Sequence, residues 1–400
     1  MNRRFTWGSA LMVLCVLCVC GVQPVLGQPR EGTKPPVARG ARLPFAQTIT
    51  DKDVEPFDLV VHWKALTWLG EHDKPTGIYV SDQEVFTTDT RTRLSCFDVN
   101  HGKRLWMQVL DQPHQPLFEP TTDGPDAFVV AAGHLIVMDR RFGAERWRLK
   151  LKNVPSGKPA VAGDYVYVGG ADGWLHVYNR RDQKEVWYFN ARAALVGSPV
   201  IVGTAQQPLV FVAANNKRVY CLSSKERKII WQESTMDRVV APPVSVDRHL
   251  YLPCSDFNVY ALDATAATSP ERLTWVFRSG GQVVRSPVAV GATVYFPSFK
   301  NGFFAVRRLD GKQRWWRETG TRLLSVGKRR CYLLDDTHGI LICDKLTGKL
   351  EGRFAIPKAY EFLTTNVHND AIYLLSRDGL IVCLRERQAV AAKGTPVPAP

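Results

Sequence analysis

The sequence predicts an all-β protein, a single eight-bladed β-propeller of four-stranded antiparallel blades with tryptophan-docking motifs. Three observations lead to this prediction: a unit of about 41 residues recurs eight times, each copy has the pattern of short alternating strands, and six copies end in tryptophan. The 400 residues are 45% apolar, 22% charged and 10% aromatic, which excludes a disordered polymer, a coiled coil and a multi-span membrane protein.

Each repeat contains an anchor segment that runs into a tryptophan. The tryptophans follow one another at intervals of 40 to 44 residues and are Trp106, Trp147, Trp187, Trp231, Trp275 and Trp315. Two copies without tryptophan lie around Asp344 and Leu384. A four-stranded sheet has two apolar faces that neighbouring sheets must cover. We therefore expect these indoles to be structural and to fill the widening wedge between blades.

Within each repeat, the residue pattern fits four short strands. A proline-containing entry such as GSPVIVG precedes an alternating segment such as DYVYVGG, and a second apolar strand leads into the anchor. Proline suits the innermost strand, because a free edge at the channel needs no N–H donor. The last repeat fades after three strands. We expect 58–66 to pair into it and close the ring; the alternative is that 386–392 supplies the fourth strand.

The two ends of the chain differ in composition from the repeats. Arg3 and Arg4 precede an apolar run and small residues, the pattern of a secretory signal peptide. We predict a signal peptide over 1–27, a flexible linker over 28–57, the propeller over 58–390 with 58–66 as closing strand, and a disordered tail over 391–400. The protein is thus expected to be exported, as a periplasmic or outer-membrane-associated protein. Cys18 and Cys20 leave a lipidated N-terminus open as an alternative.

Six cysteines follow the predicted signal peptide, and they are scattered without a C-x-x-C pair. This spacing indicates neither a zinc site nor a dense disulfide scaffold, and burial among apolar strand residues is expected for most of them. Cys331 and Cys343 would face each other in a hairpin centred on Thr337, so we predict a possible disulfide there, as export permits.

The anchor of the first repeat, DVNHGKRLW, has the form D-x-x-x-G-K-x-x-W, and DKLTGK at 344–349 repeats its first part. It resembles the tryptophan-docking motif of the PQQ-like, or quinoprotein-type, propeller repeats over about 58–390. A signal peptide followed by eight such repeats is similar to the outer-membrane protein assembly factor B group. This resemblance implies a non-enzymatic periplasmic scaffold that supports the insertion of outer-membrane barrels.

The residues do not fit a quinone-dependent dehydrogenase of the same repeat class. By resemblance, such an enzyme would use a base Asp, a calcium ion and a vicinal disulfide, yet no adjacent cysteines follow residue 27. Trp174, or Asp256 with Asn258, are isolated candidates that we interpret as strand and turn residues. G-x-S-x-G, H-E-x-x-H and P-loop motifs do not occur in the sequence. We predict no catalytic, cofactor-binding or metal-binding residues, no cofactor and no enzymatic activity.

The net charge of +14 is unevenly placed along each repeat. Successive turns of a blade alternate between the two faces of the ring; the turns before the tryptophan strands sum to +8, whereas the middle turns sum to zero. The predicted face for an anionic partner comprises Lys225, Arg227, Lys228, Arg307, Arg308, Lys312 and Arg314. Such a face attracts acidic protein segments or anionic headgroups. The alternative is a solvated rim.

The function predicted from these features is that of an exported, non-enzymatic scaffold for protein–protein interaction in cell-envelope or outer-membrane protein assembly. Its expected partners are envelope proteins with acidic surfaces, with peripheral membrane association and a monomeric chain inside a complex. Nucleic acid is not expected, since the basic turns lack an interleaved aromatic platform. A PQQ-dependent or other redox enzyme and a ligand- or glycan-binding propeller remain as alternatives.

Overall fold

Eight four-stranded antiparallel sheets form the ring in the computed structural model, which describes residues 48–387. This architecture confirms the predicted eight-bladed propeller. The predicted signal peptide over 1–27 and tail over 391–400 lie outside the described residues.

A short entry segment and four blades make up the first half of the described chain. The entry segment contains helix α1 (Asp51–Val54), a 3-10 turn (Glu55–Phe57) and strand β1 (Leu59–Leu66). Blade 1 contains β2 (Pro75–Val80), β3 (Glu84–Asp89), β4 (Arg93–Asp98) and β5 (Arg104–Val109). Blade 2 contains β6 (Thr121–Asp123), β7 (Asp126–Ala131), β8 (His134–Asp139) and β9 (Glu145–Lys150). Blade 3 contains β10 (Ala160–Ala162), β11 (Tyr165–Gly169), β12 (Trp174–Asn179) and β13 (Lys184–Asn190). Blade 4 contains β14 (Val200–Thr204), β15 (Gln207–Ala214), β16 (Arg218–Ser223) and β17 (Lys228–Ser234).

The second half of the chain adds four more blades. Blade 5 contains β18 (Val244–Val246), β19 (His249–Pro253), β20 (Asn258–Asp263), helix α2 (Ser269–Arg272) and β21 (Leu273–Arg278). Blade 6 contains β22 (Val288–Val290), β23 (Thr293–Ser298), β24 (Gly302–Arg307) and β25 (Gln313–Arg317). Blade 7 contains β26 (Arg322–Val326), β27 (Arg330–Leu334), β28 (Gly339–Asp344) and β29 (Leu350–Ala355). Blade 8 contains β30 (Phe362–Leu363), β31 (Ile372–Leu375) and β32 (Leu380–Glu386).

Each blade runs up and down, with its first strand innermost and its fourth strand outermost. The turns between the first and second strands and those between the third and fourth strands therefore lie on one face, which we call the lower face. The turns between the second and third strands and the connections between blades lie on the opposite, upper face. Buried apolar side chains of adjacent blades form shared core clusters, so each sheet is covered by its neighbours.

The entry segment closes the ring. Strand β1 pairs with β32 over its whole length, from Leu59 opposite Glu386 to Leu66 opposite Leu380, and becomes the outer strand of blade 8. Thus the outer strand of blade 8 comes from the start of the described chain. The two ends of the described chain thereby share one sheet, and unfolding either end breaks this pairing.

The expected linker over 28–57 is wrong for its last ten residues. Ile49 and Val54 are fully buried, and the backbone N–H of Ile49 donates to the Tyr360 hydroxyl at 3.4 Å. The Phe57 carbonyl accepts a hydrogen bond from Arg330 Nη1 at 3.1 Å. Apolar residues within a polar stretch thus attach this segment to blades 7 and 8.

The repeated tryptophans dock each blade onto the next one. The indole N–H of Trp106 donates to the Arg140 carbonyl at 2.8 Å, and that of Trp275 donates to the Arg308 carbonyl at 2.9 Å. Five of the six predicted tryptophans are buried, and Trp147 is half-buried. The acceptor in each case directly follows the residue at the Asp position of the next blade's anchor motif, Asp139 or Arg307, which we call the anchor residue. This hydrogen bond fixes the orientation of the buried indole against the next blade.

The glycine of the anchor motif is the platform for the preceding tryptophan. Gly143 and Gly311 have φ values of +70° and +67°. A Cβ atom there would lie 2.5 Å from the Trp106 ring and 2.7 Å from the Trp275 ring, respectively. The turn therefore requires glycine twice, for its left-handed backbone and for the close approach of the indole.

Three docking positions depart from this arrangement. Gln183 and Arg227 occupy the glycine position in blades 3 and 4, with φ near +56° and +55°. In residues 48–387, the indole N–H of Trp187 has no hydrogen-bond partner. In blade 5 the longer turn places the buried Arg272 guanidinium 4.2 Å above the Trp231 ring, a cation–π contact.

The entry segment supplies the two docking groups that blades 7 and 8 lack. Gly352 occupies the tryptophan position of β29, opposite Ile342. The Phe57 ring packs against this position, since a Cβ atom on Gly352 would lie only 2.9 Å from it. Trp63 on β1 is the docking indole of blade 8 and donates to the Val99 carbonyl at 3.0 Å. Trp63 was not among the tryptophans predicted to dock, because it precedes the first repeat.

The two cysteines of the predicted disulfide lie directly opposite each other on β27 and β28. Cys331 and Cys343 are both buried free thiols in the structure. A hydrogen bond between them, together with burial, raises the pKa of Cys331. Their register allows a cross-strand bond, and the disulfide stays a prediction.

Replacement of one docking tryptophan tests the wedge between blades 3 and 4. We expect Trp187→Ala to lower the free energy of unfolding by about 3 kcal/mol, the low end for tryptophan truncation, because no indole hydrogen bond is lost. Urea unfolding followed by far-ultraviolet circular dichroism measures this change. A loss below about 1 kcal/mol would contradict a docking role, since it is what exposed positions show.

Candidate functional site

The predicted basic residues lie on the lower face, in two separate groups. Lys225 and Arg227 are in the turn between β16 and β17 of blade 4, and Lys228 is the first residue of β17. Arg307, Arg308, Lys312 and Arg314 are in or beside the corresponding turn of blade 6. Blade 5 separates the groups, so they do not form one continuous patch.

Carboxylates on the same face pair with several of these cations. Lys228 Nζ lies 2.8 Å from Glu226, Arg308 Nη2 lies 2.6 Å from Asp247, and Arg307 forms an ion pair with Asp310. The hydrogen bond from Arg307 lowers the pKa of Asp310 to about 2. Charge counting along the chain missed Asp247, because it belongs to the turn between the first and second strands of another blade.

Arginines that follow the anchor residue join neighbouring blades. Arg140 of blade 2 bonds Glu84 of blade 1 at 2.7 Å, and Arg180 of blade 3 bonds Asp126 of blade 2 at 2.6 Å. Arg308 repeats this arrangement with Asp247 of blade 5. The Arg140 carbonyl also accepts the Trp106 indole N–H. These arginines therefore stabilise the contact between blades and do not offer free charge to a partner.

Only part of the predicted face is available as exposed positive charge. Arg314 is half-buried and donates to the Ala292 carbonyl at 3.3 Å. Lys225, Arg227 and Lys312 are exposed and form no ion pair within the described part of the chain. The predicted patch is thereby reduced to three isolated side chains, which is a weak electrostatic surface in physiological salt.

The upper face carries an arc of exposed apolar side chains over blades 4 to 6. Its members are Met236, Val240, Phe257, Val284 and Phe299, of which Met236 is 79% exposed and Phe299 57% exposed. We call this set the apolar arc. Scattered apolar side chains are normal on a protein surface, whereas a contiguous set indicates an interaction site.

Backbone hydrogen bonds show that the segments of the apolar arc are adjacent. The N–H of Ser255 donates to the Arg238 carbonyl at 2.9 Å, and that of Ser279 donates to the Phe257 carbonyl at 2.8 Å. The N–H of Phe299 donates to the Gln282 carbonyl at 2.8 Å. The arc is thus continuous across two blade connections and two turns. Large apolar residues inside turn segments such as SDFN and SFKN were the available sequence signal.

Cations border the apolar arc. Arg238 and Lys300 are exposed, and neither forms an ion pair in residues 48–387. Lys300 Nζ lies 5.5 Å from the centre of the Phe299 ring. Asp237 is paired with Lys217 at 3.3 Å. The border therefore favours a partner that combines apolar and acidic groups.

The central channel contains a cavity of about 830 Å³, formed by the inner strands and the segments that lead into them. Charged side chains from five blades line it: Glu119 and Lys158, which pair at 2.7 Å, and Arg285, Arg322 and Glu361. The described residues contain no cluster of three metal-ligating side chains. Trp174, Asp256 and Asn258 do not line this cavity.

A family model described as outer membrane protein assembly factor BamB matches residues 60–187, 131–205 and 200–326. These matches span most of the ring. The chain belongs to this family of PQQ-like repeat proteins. A curated member, the outer membrane protein assembly factor BamB of Shewanella oneidensis, is 21% identical over 324 residues, which cover 74% of this chain and 80% of the relative.

Solved structures of the same architecture support the fold. BamB from Moraxella catarrhalis superposes with a TM-score of 0.63 at 18% identity and covers 81% of this chain and 98% of its own. The computationally designed Ika8 protein gives the same TM-score and coverage at 13% identity. Because a designed protein matches as well as a natural one, the likeness is informative about the ring and not about its partners. In residues 48–387, no helix has the length and apolarity needed to cross a membrane.

Proposed function

We propose that this protein is an exported, non-enzymatic scaffold that binds protein partners during the assembly of outer-membrane proteins. Membership of the BamB family is the observation that carries the proposal. The curated relative is named for outer membrane protein assembly. A periplasmic location at the outer membrane, with the chain acting as a monomer inside a larger complex, belongs to the same proposal.

The apolar arc is the surface that we assign to the principal partner. Met236, Phe257 and Phe299 project from turns and connections, where side chains can reach into another protein without disturbing the blades. The bordering Arg238 and Lys300 favour a partner segment in which acidic residues flank apolar ones. The predicted acidic partner is therefore retained, but on the upper face and not on the lower one.

The test compares the two faces in the organism that encodes the protein. The first variant carries Met236→Ser, Phe257→Ser and Phe299→Ser, and the matched control carries Lys225→Glu, Arg227→Glu and Lys312→Glu on the lower face. We expect the first to lose co-purification with the complex that inserts outer-membrane barrels and to lower the amount of folded barrels. The control should retain both, because its side chains are isolated.

Circular dichroism and urea unfolding check the fold of both variants, which we expect to be kept because all six side chains are exposed. Loss of the complex in the lower-face variant alone would assign the partner to the basic turns. If deletion of the whole gene leaves the amount of folded outer-membrane barrels unchanged and no barrel-inserting complex co-purifies, the proposed function is wrong.

A further inference from the structure

Two arginines of adjacent blades line the wall of the central cavity. Arg285 precedes the inner strand β22 of blade 6, and Arg322 is the first residue of β26 in blade 7. Both line the cavity of about 830 Å³. Their charges interact, because burial and the neighbouring Arg285 lower the pKa of the Arg322 guanidinium. An anion that enters the cavity would provide a counter-charge to both, since Arg285 is exposed and Arg322 is half-buried.

The protein does not provide this counter-charge in the part of the chain that the structure describes. Neither arginine forms an ion pair with a carboxylate there, in contrast to Lys158, which is paired with Glu119 at 2.7 Å. Glu361, the other carboxylate of the cavity wall, is also unpaired. Arg322 Nη1 donates to the Leu363 carbonyl at 2.5 Å, which holds the guanidinium in place and leaves its other N–H groups available.

Apolar side chains line the cavity next to the arginines. Val288, Leu323 and Phe362 belong to the inner strands of blades 6, 7 and 8 and contribute to its wall. Small-molecule sites have volumes of roughly 300–1,000 Å³ and combine apolar walls with a few placed polar groups. A guanidinium recognises carboxylate and phosphate groups through paired N–H donors.

We propose that the central channel binds a small organic acid, with its carboxylate or phosphate group between Arg285 and Arg322 and its apolar body against Val288, Leu323 and Phe362. Val284 of the apolar arc also lines this cavity, but the site does not depend on the proposed assembly function. It gives the channel a ligand class that neither the family description nor the repeat pattern specifies.

Isothermal titration calorimetry with the purified chain tests the site. The probes are 1-naphthoate and 1-naphthyl phosphate, and 1-naphthamide is the neutral control of similar shape. We expect one of the acids to bind at least tenfold more tightly than the amide. Acetate and inorganic phosphate should bind at least tenfold more weakly than the naphthyl acids, because they lack the apolar body.

Arginine variants locate the binding. Arg285→Gln should weaken binding of the acid at least tenfold, and Arg322→Lys should also weaken it, because lysine lacks the paired donors while keeping the charge. Arg218→Gln is the matched control, because this substitution removes the same charge. Arg218 is exposed on the upper face and does not line the cavity. Its affinity for the acid should equal that of the unaltered chain.

The two acids distinguish the sources of the anionic group. Tighter binding of 1-naphthoate indicates a carboxylate ligand, and tighter binding of the phosphate indicates a phosphate ester. Equal binding of 1-naphthamide, unchanged binding by Arg285→Gln, or no binding of either acid would overturn the proposal. None of these results bears on outer-membrane assembly, which is measured in cells.

Discussion

Trp63→Ala is expected to lower the free energy of unfolding by about 5 kcal/mol, the largest single loss that we predict for this protein. The Trp63 ring is buried against Gly102 of blade 1, near Tyr373, and its indole N–H donates to the Val99 carbonyl. The substitution removes both the wedge and a hydrogen bond at the junction that closes the ring.

Urea unfolding by circular dichroism measures the loss, and limited proteolysis shows where it acts. Cleavage within β1 should precede cleavage elsewhere in Trp63→Ala, because this strand is held to blade 8 by pairing and to blade 1 by its indole. Trp316→Ala is the control, since this residue is 45% exposed and should lose only about 1 kcal/mol. Equal losses in the two variants would mean that ring closure does not depend on Trp63.

Gly311→Ala is expected to lower the free energy of unfolding by roughly 4 kcal/mol, although it adds a single methyl group. About 1–2 kcal/mol arises from the left-handed backbone of the turn. About 1–3 kcal/mol more arises from the collision with the Trp275 ring, which lies 2.7 Å from the added Cβ atom. The same urea experiment measures the change.

Gly291→Ala separates the two contributions. Gly291 lies in the same blade, has φ of +56°, and has no atom within 4 Å of an added Cβ atom. We expect the free energy of unfolding of this variant to fall only by the contribution of the left-handed backbone, about 1–2 kcal/mol. If Gly311→Ala is no more destabilised than Gly291→Ala, the glycine serves its turn alone and is not a platform for the indole.

Regularity along the chain accounts for the parts of the fold that were predicted. Eight anchor segments, six of them ending in an indole from Trp106 to Trp315, predict the number of blades, because each blade follows one repeat of the sequence apart from the outer strand of blade 8. The orphan strand at 58–66 was recognised because the eighth repeat lacks an outer strand. Residues 49–57 were misassigned, since their few apolar side chains are separated by polar ones and become buried only against blades 7 and 8.

The candidate surfaces were less predictable than the fold. Arg308 counts as positive charge in the sequence, but Asp247 lies beside it, 61 residues earlier in the chain. Met236 and Phe299 were not recognised, because their segments are far apart in sequence and become neighbours only through the blade connections. Arg285 and Arg322 likewise gain a shared cavity from the ring alone.

The amino-acid order determines the repeat period, the alternation of strands and the positions of the indoles, because these depend on residues close together in the chain. The closed ring decides which groups meet: Trp106 with Gly143, Phe57 with Gly352, and one blade's arginine with the carboxylate of its neighbour. Such contacts join residues that are 37 to nearly 300 positions apart. Local sequence patterns do not show that these residues are close in space, because only the packing of successive sheets around a common axis brings them together.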